Sequence, residues 1–321
     1  MAALFHYTTG DGLVGIIKNQ SLHATHADFL NDHSECRIIK DILTPVFRAE
    51  LETLFPDLIK AGVIKQEAVD RHGPGLIPNQ ADEIFKALAT TTNDITPFFI
   101  TSFCQHEPGT PDYEHGLLSQ WRAYARGGYA LEFDEAELKE LRQKEKNTHC
   151  YSNIFTEPVV YSDHAKRAAP DKFKGLSKAV VRNALEKSLP ANIFSKVLEI
   201  TGNQELKEFF IPFVSAAPFL KDSGFKEERE YRMVAVYINP PGKNADDHRL
   251  PKEIHFRTRS NGLLTPYIDM FANLPDKRLP IKSVMIGPHS NQELQAYAVR
   301  ALLEQCNLKA DVRMSRTPYR D

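Results

Sequence analysis

The sequence predicts an α+β domain whose core is a mixed, mostly antiparallel β-sheet. Strand-like segments occur near both ends of the chain and in its middle, and two helical stretches, at about 36–92 and 163–222, separate them. No repeat or low-complexity linker divides the 321 residues. The early and late strands must therefore share one sheet system, in a single domain of residues 1–321 that carries two helical insertions.

Each element follows from its local pattern. Apolar or β-branched runs bounded by turn residues predict strands at about 3–8, 21–25, 97–103, 128–133, 159–161, 229–238, 253–257, 265–268, 281–288 and 311–315. Apolar residues at helical spacing predict helices at about 13–19, 118–124 and 291–305, while 135–146 is a charged helix or loop. The chain lacks both a G-x-G-x-x-G motif after the first strand and a G-x-x-x-x-G-K motif. A Rossmann domain and a P-loop are therefore not expected.

Composition predicts a soluble, cytoplasmic protein with no membrane partner. Hydrophobic residues make up 42% and charged residues 26%, and the net charge of -2 gives no global attraction to nucleic acid or to an anionic membrane. The four cysteines are widely spaced and contain no C-x-x-C pair, which argues against a zinc site and a disulfide scaffold. Neither a signal peptide nor an apolar stretch long enough to span a bilayer is recognisable in the sequence.

A charged segment, Gly224–Arg232, leads directly into the apolar run Met233–Tyr237. It places three carboxylates and two guanidinium groups at the entrance of a predicted buried strand. Because side chains alternate along a strand, Glu228, Glu230 and Arg232 are expected to share one face. Charge beside an apolar strand is costly unless it is paired or used, so the segment is either an ion-paired sheet entrance or part of a functional site.

Four different groups of residues follow one another along the chain in a characteristic order. They are Phe5-His6-Tyr7-Thr8 with the Leu-x-x-Ile-Ile and Ser-Leu-x-Ala-Thr segments that follow; Phe29-Leu30-Asn31-Asp32 with Glu35; Ser119–Tyr124 with Gly128-Tyr129 and Phe133-Asp134; and Phe225–Arg232 with Pro266-Tyr267 and Ile286-Gly287-Pro288. Together they resemble a large bacterial family known only as a domain of unknown function, DUF2971. The family resemblance alone names no reaction.

The order of parts also resembles, more remotely, the ADP-ribosyltransferase superfamily. A His-Tyr-Thr on the first strand is followed by a helix, a small-residue second strand, a middle aromatic and a late-strand glutamate. The resemblance implies an ADP-ribosyltransferase-like fold and an NAD-dependent ADP-ribosyltransferase or NAD glycohydrolase. Such a protein would act as a bacterial toxin or anti-phage effector. NAD would be its substrate, and the acceptor would be an unidentified protein or nucleic acid.

The same resemblance assigns roles to particular residues. Glu230, with Glu228 as second choice, would stabilise the oxocarbenium-like ribose that forms as nicotinamide leaves. His6, beside Thr8, would hold the ribose, and Trp121 or Tyr124 would pack against nicotinamide. Three arginines, Arg122, Arg229 and Arg232, would bind phosphate or lock the carboxylate, and Asn31 would lie at the pocket rim.

Structural explanations compete with these roles. Trp121 and Tyr124 are three residues apart, so on a helix both would lie on one side and could pack in the core. Tyr7, which alternates with His6, is expected in the core as well.

Two other functions stay open. A metal-dependent nuclease or hydrolase would use the Glu228/Glu230 pair with residues near the second strand, namely His23, His26, Asp28, Asn31, Asp32 and Glu35. Strand alternation would separate His23 from His26, so no metal is expected. A non-catalytic module would bind a nucleotide or nucleic acid through Trp121, Tyr124 and the arginines. Arg257, Arg259 and Arg316 would add a basic rim if they converge.

Overall fold

The computed structural model describes residues 2–30, 34–95, 97–126, 128–186, 189–202, 205–237, 248–258, 262–274 and 278–318. The strands found there are β1 (Ala3–Thr8), β2 (Leu22–His26), β3 (Phe98–His106), β4 (Tyr129–Phe133), β5 (Tyr151–Pro158), β6 (Val160–Tyr161), β7 (Leu220–Lys221), β8 (Glu230–Tyr237), β9 (His255–Thr258), β10 (Leu264–Met270), β11 (Ile281–Ile286) and β12 (Asp311–Met314).

The helices are α1 (Gly10–Asn19), α2 (Ser34–Lys60), α3 (Gln66–His72), α4 (Leu76–Ile95), α5 (Pro111–His115), α6 (Leu118–Gln120), α7 (Glu135–Thr148), α8 (Ser162–Lys172), α9 (Leu176–Glu186), α10 (Ala191–Thr201), α11 (Leu206–Ala216) and α12 (Gln292–Gln305). Three of them, α1, α7 and α12, begin and end within three residues of the predicted positions. None of the helices in the described ranges is both long and apolar enough to cross a membrane.

The chain divides into two compact units. Unit 1 consists of Met1–Leu30, Thr96–Val159 and Gly224–Asp321, and unit 2 of Asn31–Ile95 and Val160–Ser223. The two segments of unit 2 correspond closely to the predicted helical insertions. A single domain of residues 1–321 stays a prediction.

Unit 1 is built on one large sheet. Its strand order is β12-β11-β4-β1-β3-β2-β10-β9, and β8 and β5 continue from β3. All neighbouring strands are antiparallel except β11 and β12. The predicted mixed, mostly antiparallel sheet of an α+β protein is therefore confirmed.

The sheet buries apolar side chains on both faces. One face packs against α1, α7 and α12 through a cluster that includes Leu4, Leu131 and Met233. The other face carries Phe5, Tyr7 and Met285, which pack around Trp121 from the segment after β3, together with Cys104, Ala125 and Ala130. Each large apolar side chain buried in this way contributes about 1.5–3 kcal/mol, so residues on both faces help to hold the strands in register.

The first helix illustrates how local sequence sets an element boundary. Predicted from Leu13, α1 begins earlier because Thr9 has extended backbone and its Oγ1 accepts a hydrogen bond from Gly12 N at 3.4 Å. Leu13, Ile16 and Ile17 are buried on one side, as their spacing predicts.

Strand β5 was not predicted from the sequence. A bulge between Tyr151 and Asn153 shifts its register against β8, so the buried residues Tyr151 and Ile154 are three positions apart instead of two or four. The bulge removes the alternation by which a strand is recognised.

Unit 2 is mainly helical. On α2, the buried residues Leu43, Phe47, Leu51, Leu54 and Leu58 follow helical spacing, and α2 packs against α4. A short parallel pair, β6 with β7, accompanies the helices of this unit.

Candidate functional site

The sheet of unit 1 splits beside the middle of β3. Phe5 of β1 pairs with Cys104, and Thr25 of β2 pairs with Ile100, both on the edge of β3 that β8 does not occupy. Between these two pairs, β1 continues along β4 and β2 continues along β10. The β3 residues Thr101–Phe103 therefore face a gap between diverging strands. Backbone polar groups in such a gap need partners from side chains or ligands.

His6 supplies one of these partners. Its Nδ1 atom is 2.9 Å from the carbonyl oxygen of Ser102, and its ring meets that of Phe103 edge-on with centroids 5.9 Å apart. Burial lowers the pKa of His6; the bond to Ser102 acts in the opposite direction, and the charges of His23 and Arg257 lower the pKa further. A carbonyl only accepts hydrogen bonds, so Nδ1–H is the donor, and Nε2 of the neutral ring is left as an acceptor.

Polar side chains project beside the split from one face of β2, β9 and β10. Register pairs Asp269 with His23, Tyr267 with both Thr25 and His255, and Thr265 with Arg257. Because side chains alternate along strands, these residues share the face on which Ile100 and Ser102 of β3 lie. We call the cluster the histidine face, and define it as His23, Thr25, His255, Arg257, Tyr267 and Asp269.

Asp269 connects the two imidazoles of the histidine face. Its Oδ1 lies 3.3 Å from Nε2 of His23 and its Oδ2 lies 3.7 Å from Nε2 of His255. The hydroxyl of Ser21 also donates to Oδ1, at 3.4 Å. A carboxylate in this position fixes which nitrogen of His23 carries a proton and how the ring is oriented.

Arg257 and Tyr267 complete the histidine face. The His23 ring packs on the Tyr267 ring with centroids 4.3 Å apart, and the Arg257 guanidinium lies 5.8 Å from the centre of the same ring. Arg257 Nη2 donates to Thr25 Oγ1 at 3.0 Å, and its Nη1 lies 3.5 Å from Nδ1 of His23. Burial lowers the pKa of His23; Asp269 opposes this shift, and Arg257 and His255 add to it. His23 is thus a neutral, oriented imidazole near pH 7.

Glu230 and Arg232 form a buried bidentate ion pair on β8. The Nε–Oε1 and Nη2–Oε2 distances are 2.8 and 3.0 Å, and the residues are 6% and 1% exposed. Arg232 pairs with Ser102 across β3, so the ion pair lies on the same face of the sheet as the histidine face. Phe5 pairs with Cys104 and therefore lies on this same face of the sheet. His6 alternates with Phe5, so its side chain lies on the opposite face of the sheet. The structure therefore brings Arg232 beside the split but does not unite Glu230 with His6.

The prediction that Glu228 shares a strand face with Glu230 is wrong. Glu228 is buried in a 3₁₀ turn, Ser223–Glu228, and the strand begins only at Glu230. Arg229, between them, has a positive φ of 43° and is exposed. This bend removes Glu228 from the alternation of β8.

The aromatic residues predicted for one side of a helix are separated. Residues Trp121–Ala125 form a π-helical turn in which Trp121 is fully buried, while Tyr124 is 39% exposed and Arg122 is exposed. Trp121 packs on Tyr7 with centroids 4.8 Å apart and donates from Nε1 to the His115 carbonyl at 3.0 Å. Trp121 is therefore a core residue and not an open stacking platform. The predicted core position of Tyr7 is confirmed.

The other predicted residues have different outcomes. Thr8 ends β1, immediately before the α1 cap, and Asn31 lies outside the described residues, as do Asp32 and Arg259. The predicted basic rim does not form between Arg257 and Arg316, because β9 and β12 lie at opposite ends of the strand order.

The metal hypothesis gains no support from the geometry. Register places His26 beside Phe99, on the face opposite to His23, and its Nδ1 accepts from Asp28 N at 3.3 Å. Over the described ranges no group of three or more His, Cys, Asp or Glu side chains is placed to hold a metal ion.

Sequence reasoning missed most of the histidine face. Thr25 and Tyr267 entered only through the family resemblance, Arg257 only as a rim residue, and His255 and Asp269 had no assigned role. The signal that could have found them is a polar period of two on late strands, His255-x-Arg257 and Thr265-x-Tyr267-x-Asp269.

Fold and site together define an α+β protein with a split, mostly antiparallel sheet and a polar face beside the split. A family model described as protein of unknown function (DUF2971) matches residues 120–233. The matched region contains the residues from Gln120 to Tyr124 and from Phe225 to Arg232, so the predicted resemblance to this family is supported over that part of the chain. No curated protein and no solved structure matches the chain.

Proposed function

We propose that the protein cleaves the nicotinamide–ribose bond of NAD at the split beside β3. In this reaction the bond between ribose C1′ and the nicotinamide nitrogen breaks, with its electron pair going to nicotinamide. A new bond forms from C1′ to an oxygen of water or of a macromolecular acceptor, which releases a proton. Consumption of NAD or modification of a macromolecule would suit a toxin or an anti-phage effector.

The observation that carries the proposal is the split itself, where His6 of the first strand is hydrogen-bonded to Ser102 of β3. His6 Nε2 is available to accept a hydrogen bond from a sugar hydroxyl, because Nδ1 is held by the Ser102 carbonyl at 2.9 Å. The polar histidine face lies beside the same opening, on the face of the sheet opposite to His6. The remote ADP-ribosyltransferase resemblance supports the same location, since it expects a first-strand histidine to contact the ribose.

Two carboxylates are candidates for stabilising the positive charge on ribose. Glu230 is expected from the sequence resemblance, but its charge is matched by Arg232 through two hydrogen bonds. Asp269 lies on the histidine face, 25% exposed, and contacts His23, whose charge affects His6. Ground-state pairing with Arg232 would weaken the attraction of Glu230 for an oxocarbenium ion, so Asp269 is included in the test.

The test measures nicotinamide released from labelled NAD by the purified full chain, alone and with nucleic acid or cell lysate. We expect release by the wild type and at least a hundredfold loss in His6→Ala, and in either Glu230→Gln or Asp269→Asn. Thermal melting checks that each variant is folded, which matters most for the buried Glu230. Arg300→Gln, on the exposed side of α12, is the control and should keep full activity.

Absence of nicotinamide release under all these conditions would contradict the proposal. If NAD then still raised the melting temperature, a binding module would be the better interpretation. Full activity in all three site variants would also contradict it, because the reaction would have to take place elsewhere.

A further inference from the structure

The histidine face exposes hydrogen-bond donors and one permanent positive charge together. Arg257 is exposed, and the side chains of His23 and His255 are 38% and 40% exposed. All three lie on the same face of adjacent strands, since His255 and Arg257 are two residues apart on β9 and His23 is opposite Asp269 on β10. A guanidinium and two imidazoles on one surface suit an anion that has several oxygen atoms.

Asp269 orients the two imidazoles of this surface. It is less exposed than either imidazole, at 25%, and both of its oxygens face ring nitrogens. The contacts of Nε2 of both histidines with one carboxylate, at 3.3 and 3.7 Å, favour one orientation of each ring, so their remaining edges keep a fixed direction. For His23 that remaining nitrogen, Nδ1, is the one that lies 3.5 Å from Arg257. The guanidinium and Nδ1 of His23 therefore lie side by side.

Tyr267 positions the guanidinium. The centre of its ring lies 4.3 Å from the centre of the His23 ring and 5.8 Å from the Arg257 guanidinium carbon. Arg257 Nη2 also donates a hydrogen bond to Thr25 Oγ1 at 3.0 Å. A planar guanidinium held by an aromatic ring and a hydroxyl loses little additional freedom when it binds an oxyanion.

The groups that face His23 make binding depend on pH. Asp269 on β10 favours its protonated form, while Arg257 and His255 on β9 disfavour it, and burial lowers its pKa; His6 on β1 and the Tyr267 ring are its other titratable neighbours. A bound dianion would favour protonated His23, so binding should take up protons and strengthen as the pH falls.

From this geometry we propose that the histidine face binds the diphosphate of a nucleotide, with Arg257 and His23 on one phosphate and His255 on the other. The identity of the nucleotide as part of NAD rests on the proposed function; the diphosphate site itself does not. Arg257 and His255 occupy neighbouring positions on one face of β9, and two separate groups of this kind match two linked phosphates better than a single carboxylate.

The experiment titrates the full chain with ADP, AMP and adenosine by calorimetry at pH 6 and pH 8. We expect ADP to bind more tightly than AMP, adenosine to bind least, and ADP binding to be tighter at pH 6. Arg257→Gln and His255→Gln should each weaken ADP binding, the first at least tenfold. Arg300→Gln, an exposed arginine on α12, should stay within twofold of the wild type. Equal heat-induced unfolding of wild type and variants shows that the exposed substitutions leave the fold intact.

Two outcomes would overturn the diphosphate site: wild type that does not bind ADP at millimolar concentration, or Arg257→Gln that binds ADP as tightly as wild type does. Binding of ADP that depends on Arg257, without nicotinamide release from NAD, would support the site while refuting the proposed function. NAD cleavage by Arg257→Gln with an unchanged Michaelis constant would support the proposed function while refuting the diphosphate site.

Discussion

Replacing Glu145 by Gln tests the buried ionic cluster that connects α7 to other segments of unit 1. Glu145 on α7 is completely buried, with Lys252 Nζ and Tyr151 Oη both 2.8 Å from its Oε1. Its Oε2 accepts from the backbone N of Phe271 at 3.2 Å, just after β10. The variant keeps the shape of the side chain but leaves the ammonium of Lys252, only 7% exposed, without its carboxylate.

The structure sets the size of the expected loss. Removal of one partner from a buried ion pair costs about 3–5 kcal/mol, because the other charge stays buried and uncompensated. Glu135→Gln, at the other end of the same helix, is the matched control. Its partner Lys139 lies 2.8 Å away but is 54% exposed, so this change should cost about 1 kcal/mol or less. Adding Lys252→Met to Glu145→Gln should recover part of the stability, because the unpaired charge disappears.

Urea unfolding followed by the fluorescence of Trp121 measures these changes, since this single tryptophan lies in the core of unit 1. Burial alone would raise the pKa of Glu145, but His149 and Lys252 outweigh it, and the pKa is lowered. A lowered pKa adds stability above the unfolded value of about 4.3, and that contribution disappears as the pH falls through the folded value. The gap between wild type and Glu145→Gln should therefore narrow below pH 4. A loss under 1 kcal/mol at pH 7, equal to that of Glu135→Gln, would refute this reasoning.

Two further predictions concern the packing around Trp121 and β3. Gly116→Ala should cost about 2–4 kcal/mol in urea unfolding, because Gly116 has φ +74° and a Cβ there would lie 2.6 Å from the Trp121 ring. Gly109→Ala, with φ +81° and open space around it, should cost only about 1 kcal/mol, and equal losses would contradict the packing argument. Burial lowers the pKa of His106, whose Nε2 receives the Tyr7 hydroxyl, to about 4. Between pH 6.5 and 4 only the unfolded chain takes up this proton, so the free energy of unfolding of the wild type should fall by about 3 kcal/mol over that range. His106→Gln should lack that contribution. Parallel pH profiles of unfolding free energy for the two proteins would refute this prediction.

The strands of the sheet were predictable because their side chains are apolar where both faces are covered. All eight residues of β8 are buried, and its run from Met233 to Tyr237 is apolar throughout. The bulged β5 was not predictable by the same rule, since its two most buried residues are three positions apart. A local pattern identifies regular strands but fails where an extra residue interrupts the alternation.

Part of the candidate site could also be anticipated from local sequence. Alternation correctly placed Glu230 and Arg232 on one face of β8 and Tyr7 in the core. It failed for Glu228, because the left-handed backbone at Arg229 cannot be inferred from an arginine. It failed for Trp121 and Tyr124 because a π-helical turn changes the angle between residues three apart.

The histidine face depends on pairing between distant segments, which local patterns do not determine. His23 meets Asp269 only because β2 and β10 pair in one particular register, and Thr101 Oγ1 binds the His23 carbonyl at 3.2 Å to hold β2 beside β3. A slip of one residue would turn the polar set of β2 to the other face of the sheet. The buried Leu22, Ala24, Ile268 and Met270 belong to the cluster under the helices, so that slip would expose apolar surface. The packing of one face of the sheet thus fixes the position of the polar groups on the other.

The two charged groups on that face, the Glu230–Arg232 ion pair and the histidine face, differ in their suitability for binding a ligand. Glu230 and Arg232 match each other in a water-poor environment, where a second ligand would have to displace a bidentate pair. The histidine face has one carboxylate for a guanidinium and two imidazoles, and the guanidinium and both imidazoles reach solvent. An incoming anion gains attraction there without breaking a buried ion pair. Ligand chemistry is therefore expected at the histidine face and at His6, with Glu230 and Arg232 holding β8 in position beside the split.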